Sequence, residues 1–299
     1  MHDLFESVTL HFKIIIFMRN KYQFLLFISV IVTAFSCAKE NLAQNESEVI
    51  KEWSVGIKAR NILPGVANRS DTGTINFQLH SDNSIKYELT MKTLSNNDVL
   101  SGVQLKTGDP VTNGNVILDL TATSKFPASN ALGGFAYGVV TGLRPTLVDS
   151  LKNDNNLFYL EVKSVQQPNG LARGQLNMRV QFAADITLTG REEVPPSPTS
   201  AVGQTWLRMT EDRKLYSRIT ITNNEPNDDF TMAHIHRGAI GLNGPVIIAL
   251  ASATADFNVS KKINVDLATF NTIINDSRLY VNAHSQLFPA GKIRGQIRN

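Results

Sequence analysis

Three histidines near the end of the chain offer the most specific chemistry in this sequence. His234 and His236 lie two apart in Ala233-His234-Ile235-His236-Arg237-Gly238, and His284 closes Tyr280-Val281-Asn282-Ala283-His284. Neutral imidazoles are ligands for zinc and copper. Three nitrogens at about 2.0–2.1 Å leave a fourth position for water or a carboxylate. Glu192 or Glu193 is the candidate for that carboxylate, or for a hydrogen bond that fixes a ring's tautomer. On a strand, residues i and i+2 share a face, so His234 and His236 project together while Ile235 points into the core. His284 and Asn282 join them if their strand lies alongside. The competing reading is a polar patch, with the rings hydrogen-bonded to Asn282 and loop carbonyls.

The chain carries its own control for this site. Gly73, Gly108, Asn113 and Gly114 recur as Gly203, Gly238, Asn243 and Gly244, each displaced by 130 positions (203 − 73). In that register His234 falls on Gln104 and His236 on Lys106. The closing segment Pro168–Gln175 recurs as Pro289–Gln296, displaced by 121 (294 − 173), which sets His284 against Lys163. Two lysines at ligand positions would repel a cation, so metal binding is expected of the second copy alone. Arg173 and Arg294 occur in both copies inside Arg-Gly-Gln. A shared guanidinium reads as a structural clamp on carbonyls or a carboxylate.

The elements that must hold these residues have period two. Trp53, Val55, Ile57 and Ala59 alternate with Ser54, Gly56, Lys58 and Arg60; Ile75, Phe77, Leu79 and Ile85, Tyr87, Leu89, Met91 do the same. This is the pattern of strands with one buried and one wet face. Ile117–Leu120, interrupted by Asp119, and Val246–Leu250 are short, mostly apolar runs and read as buried strands. One short helix per copy is expected, near Thr146–Leu151 and Leu267–Ile274. The fall in displacement from 130 to 121 makes the second copy about nine residues shorter before its closing strands, which points to a surface loop. The fold class expected is all-β: two tandem antiparallel β-sandwiches of about 120 residues each, at 51–178 and 181–299.

The 299 residues carry a net charge of +3; residues 1–36 hold three basic and two acidic side chains, so the rest is at about +2. With no Lys/Arg stripe there is no electrostatic case for nucleic acid. The one cysteine, Cys37, excludes an intrachain disulfide. Arg19 and Lys21 precede the apolar run Phe24–Ala34, and the small residue Ser36 precedes Cys37. That run is shorter than the about 20 residues of a membrane span. It resembles a bacterial lipoprotein signal, residues 1–36, with Met18 as an alternative start and Cys37 as the lipidated first residue of the mature chain. Residues 37–50 read as a polar tether. Lys39 and Glu40 resemble a surface-export cue of Bacteroidetes-type lipoproteins. The expected location is the cell envelope, in the outer membrane with possible surface exposure.

Aligned in this way, the second copy resembles the CHRD domain, the module repeated in chordin and found singly in many bacterial secreted proteins. The residues that carry the likeness are Leu188–Pro196, Ala233–His236 with Gly238, Gly241, Asn243, Gly244 and Pro245, then Tyr280–His284 and Gly291–Gln296. The first copy shares the framework only. The resemblance implies an extracellular immunoglobulin-like β module without implying one activity. No nucleophile–base pair, phosphate loop or paired catalytic carboxylates can be assembled. The leading expectation is therefore a non-enzymatic, lipid-anchored binding protein, partnered by the membrane and by an extracellular protein or metal, zinc or copper. Two alternatives stay open. The His-x-His spacing on a β-sandwich resembles copper–zinc superoxide dismutases, which would make the chain a metal-dependent oxidoreductase, although their remaining histidines are lacking. The other alternative is adhesion or scaffolding without metal.

Overall fold

The computed structural model describes residues 47–297 apart from 67, 93, 96–97 and 128–132. Cys37, the signal segment and most of the tether lie outside the described residues. Strand β1 opens at Val49, so Val49 and Ile50, read as tether, belong to the first sheet.

The first copy comprises β1 (Val49–Lys58), β2 (Thr72–His80), β3 (Ile85–Met91), β4 (Leu100–Thr107), β5 (Val116–Asp119), β6 (Ser124–Lys125) and β7 (Gly134–Val140). Helix α1 (Pro145–Lys152), β8 (Phe158–Ser164) and β9 (Ala172–Gln175) complete it. The second comprises β10 (Val180–Thr189), β11 (Val202–Thr210), β12 (Lys214–Thr222), β13 (Phe230–Arg237), β14 (Val246–Ala251) and β15 (Lys261–Asn264). Helix α2 (Leu267–Asn275), β16 (Leu279–Ser285) and β17 (Ile293–Gln296) follow. Both helices fall where the sequence places them. Asp266 caps α2 by accepting from the Thr269 amide at 2.7 Å.

Each copy is one antiparallel sheet folded over its own core. The orders are β5-β4-β8-β9-β1-β2-β3-β7-β6 and β14-β13-β16-β17-β10-β11-β12-β15. In each, two ladders join through a single residue pair, Lys58 with Arg173 and Thr189 with Arg294. Side chains from both ladders meet in one core. Ile57, Phe77 and Leu89 join Val103, Leu105 and Leu160 in the first copy, and Leu188, Leu207 and Ile219 join Ile235, Val281 and Ile293 in the second. The two tandem all-β domains are thus present, each with a core of its own.

Two details differ from the sequence reading. The apolar runs at 117–120 and 246–250 do form strands, but β5 and β14 are edge strands. Ile117, Leu118, Ile247 and Ile248 only partly cover the cores, while Val116 and Val246 face solvent. A short apolar run does not reveal whether a neighbour covers its second face. The extra length of the first copy also builds more than a loop: β6 pairs with β7 at one edge, where the second copy ends in the four-residue β15.

Residues Glu48–Asn299 form one compact unit. Polar contacts tie the domains together. Arg208 is fully buried; it donates to Asp185 Oδ1 at 2.6 Å and across to the Ile62 carbonyl at 3.2 Å. The Gly65 amide donates to Asp185 Oδ2 at 2.8 Å. Among the described residues no helix is long and apolar enough to cross a membrane.

Candidate metal centre

Strands β13 and β16 run side by side and antiparallel, with His234 opposite Asn282, His236 opposite Tyr280 and Met232 opposite His284. Ala233, Ile235, Val281 and Ala283 all point into the core and are fully buried. The alternate residues therefore share the outer face of the sheet, and this is what brings the three histidines together. Their metal-binding atoms all lie within 4.8 Å of one another. The closest pair is 3.2 Å apart: without a metal, His234 Nδ1 donates to His284 Nε2, whose own proton is on Nδ1. Tetrahedral ligands at about 2.0–2.1 Å stand about 3.3 Å from each other, so that pair already has the required spacing.

The outward side of this face is roofed by loops, and the roof decides the tautomers. His236 Nδ1 lies 3.0 Å from the Gly244 carbonyl, and His284 Nδ1 lies 3.0 Å from the Pro289 carbonyl. A carbonyl can only accept, so each of these nitrogens carries the proton, and each neutral ring presents an Nε2 lone pair. Metal-ligating histidines are commonly oriented by such a bond from the opposite nitrogen. His236 Nε2 is buried and has no hydrogen-bond partner among the described residues. Burial, reinforced by the neighbouring rings, holds the pKa of His234 below the usual imidazole value. Burial also lowers that of His284 despite its bond to Pro289. Neutral rings are the form that coordinates.

Two clamps fix the roof. Arg294 lies over the Tyr280 ring with its guanidinium carbon 3.5 Å from the centroid, and it donates to Asn243 Oδ1, Ala239 O and Leu242 O at 3.0–3.2 Å. Tyr280 in turn stacks on His236, centroid to centroid 4.9 Å and 10° from parallel. Arg294 thus holds both the ring under His236 and the loop whose Gly244 carbonyl orients it. Gly244 admits no side chain, because a Cβ would stand 1.6 Å from the Arg237 carbonyl oxygen. The second clamp is the buried Lys292, whose ammonium donates to Asp228 and Asn224, both at 2.6 Å. Asp228 also accepts from Ser285 Oγ and the Leu287 amide at 2.8 Å, fixing the turn that presents Pro289 to His284.

Glu193 does not join the three donors. Its carboxylate is buried against Asn282, and burial raises its pKa to about 7 against the pull of the Arg294 charge and the Asn282 hydrogen bond. A Cβ on Gly291 would meet both Glu193 oxygens at 2.8 Å.

The first domain keeps the frame and fills the face differently. Arg173 sits over Tyr159 at 3.4 Å and donates to Asp109 O, Thr112 O and Asn113 Oδ1. Gln175 donates to Gly108 O as Gln296 does to Gly238 O. Where the second domain has His236 beside Asn282, the first has Lys106 paired with Glu161 at 2.8 Å. Gln104, in the place of His234, donates to Asp119. Ile62 lies against Gly170 and Glu161 as Glu193 lies against Gly291 and Asn282. An internal ion pair thus occupies the site of the imidazoles.

Sequence reasoning missed the part played by Tyr280, which recurs as Tyr159 and so reads as frame.

Comparison with known proteins places both copies in one family. The CHRD domain matches residues 54–176 and 184–297. Chordin of Danio rerio is 24% identical over 240 residues, covering 75% of this chain and 24% of chordin, so the chain spans about a quarter of that relative. No solved structure shows significant similarity.

Proposed function

With the chain belonging to the CHRD domain family, we propose that it is a lipid-anchored extracytoplasmic binding protein whose second domain takes up zinc or copper through His234, His236 and His284. The observation that carries this reading is the pair of backbone-fixed tautomers. Gly244 and Pro289 each accept from the Nδ1 of His236 and His284, so both rings have an Nε2 lone pair available, in a triad that offers ligand atoms within 4.8 Å of one another. His236 Nε2, buried and without a hydrogen-bond partner among the described residues, is free to act as a donor to a metal. The first domain serves as frame and spacer, since Lys106 and Glu161 satisfy each other. The role proposed is binding; redox turnover by the metal-loaded protein would instead favour a metal-dependent oxidoreductase. Anchoring through Cys37 in the outer membrane rests on the basic, apolar and small-residue pattern before that cysteine.

The test is titration of the metal-free soluble chain, residues 38–299, with zinc or copper(II). One equivalent should bind, and His236→Ala should remove most of the affinity because two imidazoles make a poor site. Affinity should weaken as pH falls below about 6.5, since protons compete for the ring nitrogens. Two equivalents, none, or undiminished uptake by the variant would overturn the reading.

A further inference from the structure

We propose that Met232 is a fourth, thioether donor to the three-histidine cluster and that the site is built for copper, in its monovalent as well as its divalent state, rather than for zinc. This rests on the reading of the cluster as a metal site and adds the identity of the metal.

The register supplies the first observation. On β13, Ala233 and Ile235 are buried in the core, so Met232, His234 and His236 stand in one row on the outer face. Met232 is also the cross-strand partner of His284. Directly opposed residues of an antiparallel pair have Cβ atoms about 4.5–5.5 Å apart. Methionine has three side-chain torsions with which to cover such a span. Its side chain is exposed, at the same end of the row as the buried His284, and His236 lies at the other end.

The second observation is what replaces it. At the displacement of 130 that relates the two copies, Met232 falls on Gly102 (232 − 130), and Gly102 is opposite Lys163 as Met232 is opposite His284. The copy that lacks the three histidines therefore also lacks the methionine. A Cβ on Gly102 would stand 3.0 Å from Thr121 Oγ1, a tight contact.

Donor chemistry then selects the ion. The nearest carboxylate considered for the fourth position, Glu193, is engaged with Asn282 and lies outside the gathered donors. What remains is three neutral imidazoles and a soft thioether. Thioethers favour copper(I), imidazoles suit both copper states, and zinc draws on imidazole, thiolate or carboxylate. An all-neutral set also adds no negative charge that would favour the divalent over the monovalent ion.

The experiment uses the soluble chain 38–299, in which methionine is the sole source of sulfur because Cys37 is excluded. Copper(I), held reduced, is titrated in competition with the chromophoric chelator bicinchoninate, and zinc is titrated separately. Wild-type protein should hold one copper(I). Met232→Leu should weaken copper(I) binding by about tenfold or more, the lower range for groups that support a metal site. Zinc affinity should change by less than about threefold. X-ray absorption at the copper edge gives a check that needs no variant: the copper(I) form should show one sulfur scatterer beside nitrogen. Unchanged copper(I) affinity in Met232→Leu, equal losses for both metals, or a copper(I) site without sulfur would overturn the inference and leave the three-histidine site standing. Failure of the wild type to bind either copper(I) or zinc would remove that site and Met232 with it.

Discussion

Replacing Glu193 by Gln should stabilise the second domain above neutral pH, and the size of the gain follows from its surroundings. The Glu193 carboxylate is buried, and burial raises its pKa from 4.5 to about 7. The folded state therefore keeps a proton that the unfolded state releases. In that interval the native state binds more protons than the unfolded one, so stability falls as pH rises and is lost through about 7. At about 1.4 kcal/mol per unit, the change between pH 5 and pH 8 amounts to about 2.5 kcal/mol. His234 and His284 act in the opposite sense: their lowered pKa values add stability as pH rises through the imidazole range. They are common to both proteins, so the difference between wild type and Glu193→Gln isolates the carboxylate. The assay is urea denaturation of metal-free protein in a Trp53→Phe background. Trp206 is then the only tryptophan and reports on the second domain. Near pH 5 the two proteins should be similar; at pH 8 the Gln variant should be more stable by about 2.5 kcal/mol. Parallel pH profiles, or a Gln variant weaker than wild type at pH 8, would refute the argument that burial dominates at Glu193.

The first domain offers a matching test of its internal ion pair. Lys106→Met leaves Glu161 buried without its partner and should cost about 3 kcal/mol in denaturant unfolding, while the double variant Lys106→Met/Glu161→Leu should recover most of it. A single variant as stable as wild type would show that the pair contributes little. At the N-terminus, Cys37→Ser should abolish incorporation of labelled lipid and move the protein from the membrane to the soluble fraction. Unchanged fractionation would identify the apolar run as an ordinary anchor.

Much of this architecture is legible in the amino-acid sequence, because period-two alternation states directly which side chains are buried. The strands of Trp53–Ile57 and Ile75–Leu79, both helices and the tandem repeat all follow from local pattern, as does the frame shared by Arg173 and Arg294. The repeat also singles out His234, His236 and His284 by their absence from the first copy. Other properties belong to the tertiary structure alone. Strand partnership is non-local, so local pattern does not show that β5 and β14 lie at sheet edges, nor that β13 and β16 are neighbours with Met232 opposite His284. The tautomers of His236 and His284 depend on carbonyls of Gly244 and Pro289, and a carbonyl carries no residue signature. Glu193 shows the limit most clearly. By residue type it is a reasonable ligand, but the turn at Gly291 and the strand bearing Asn282 close around it. Its place beside the site rather than in it is set by burial, which only packing decides.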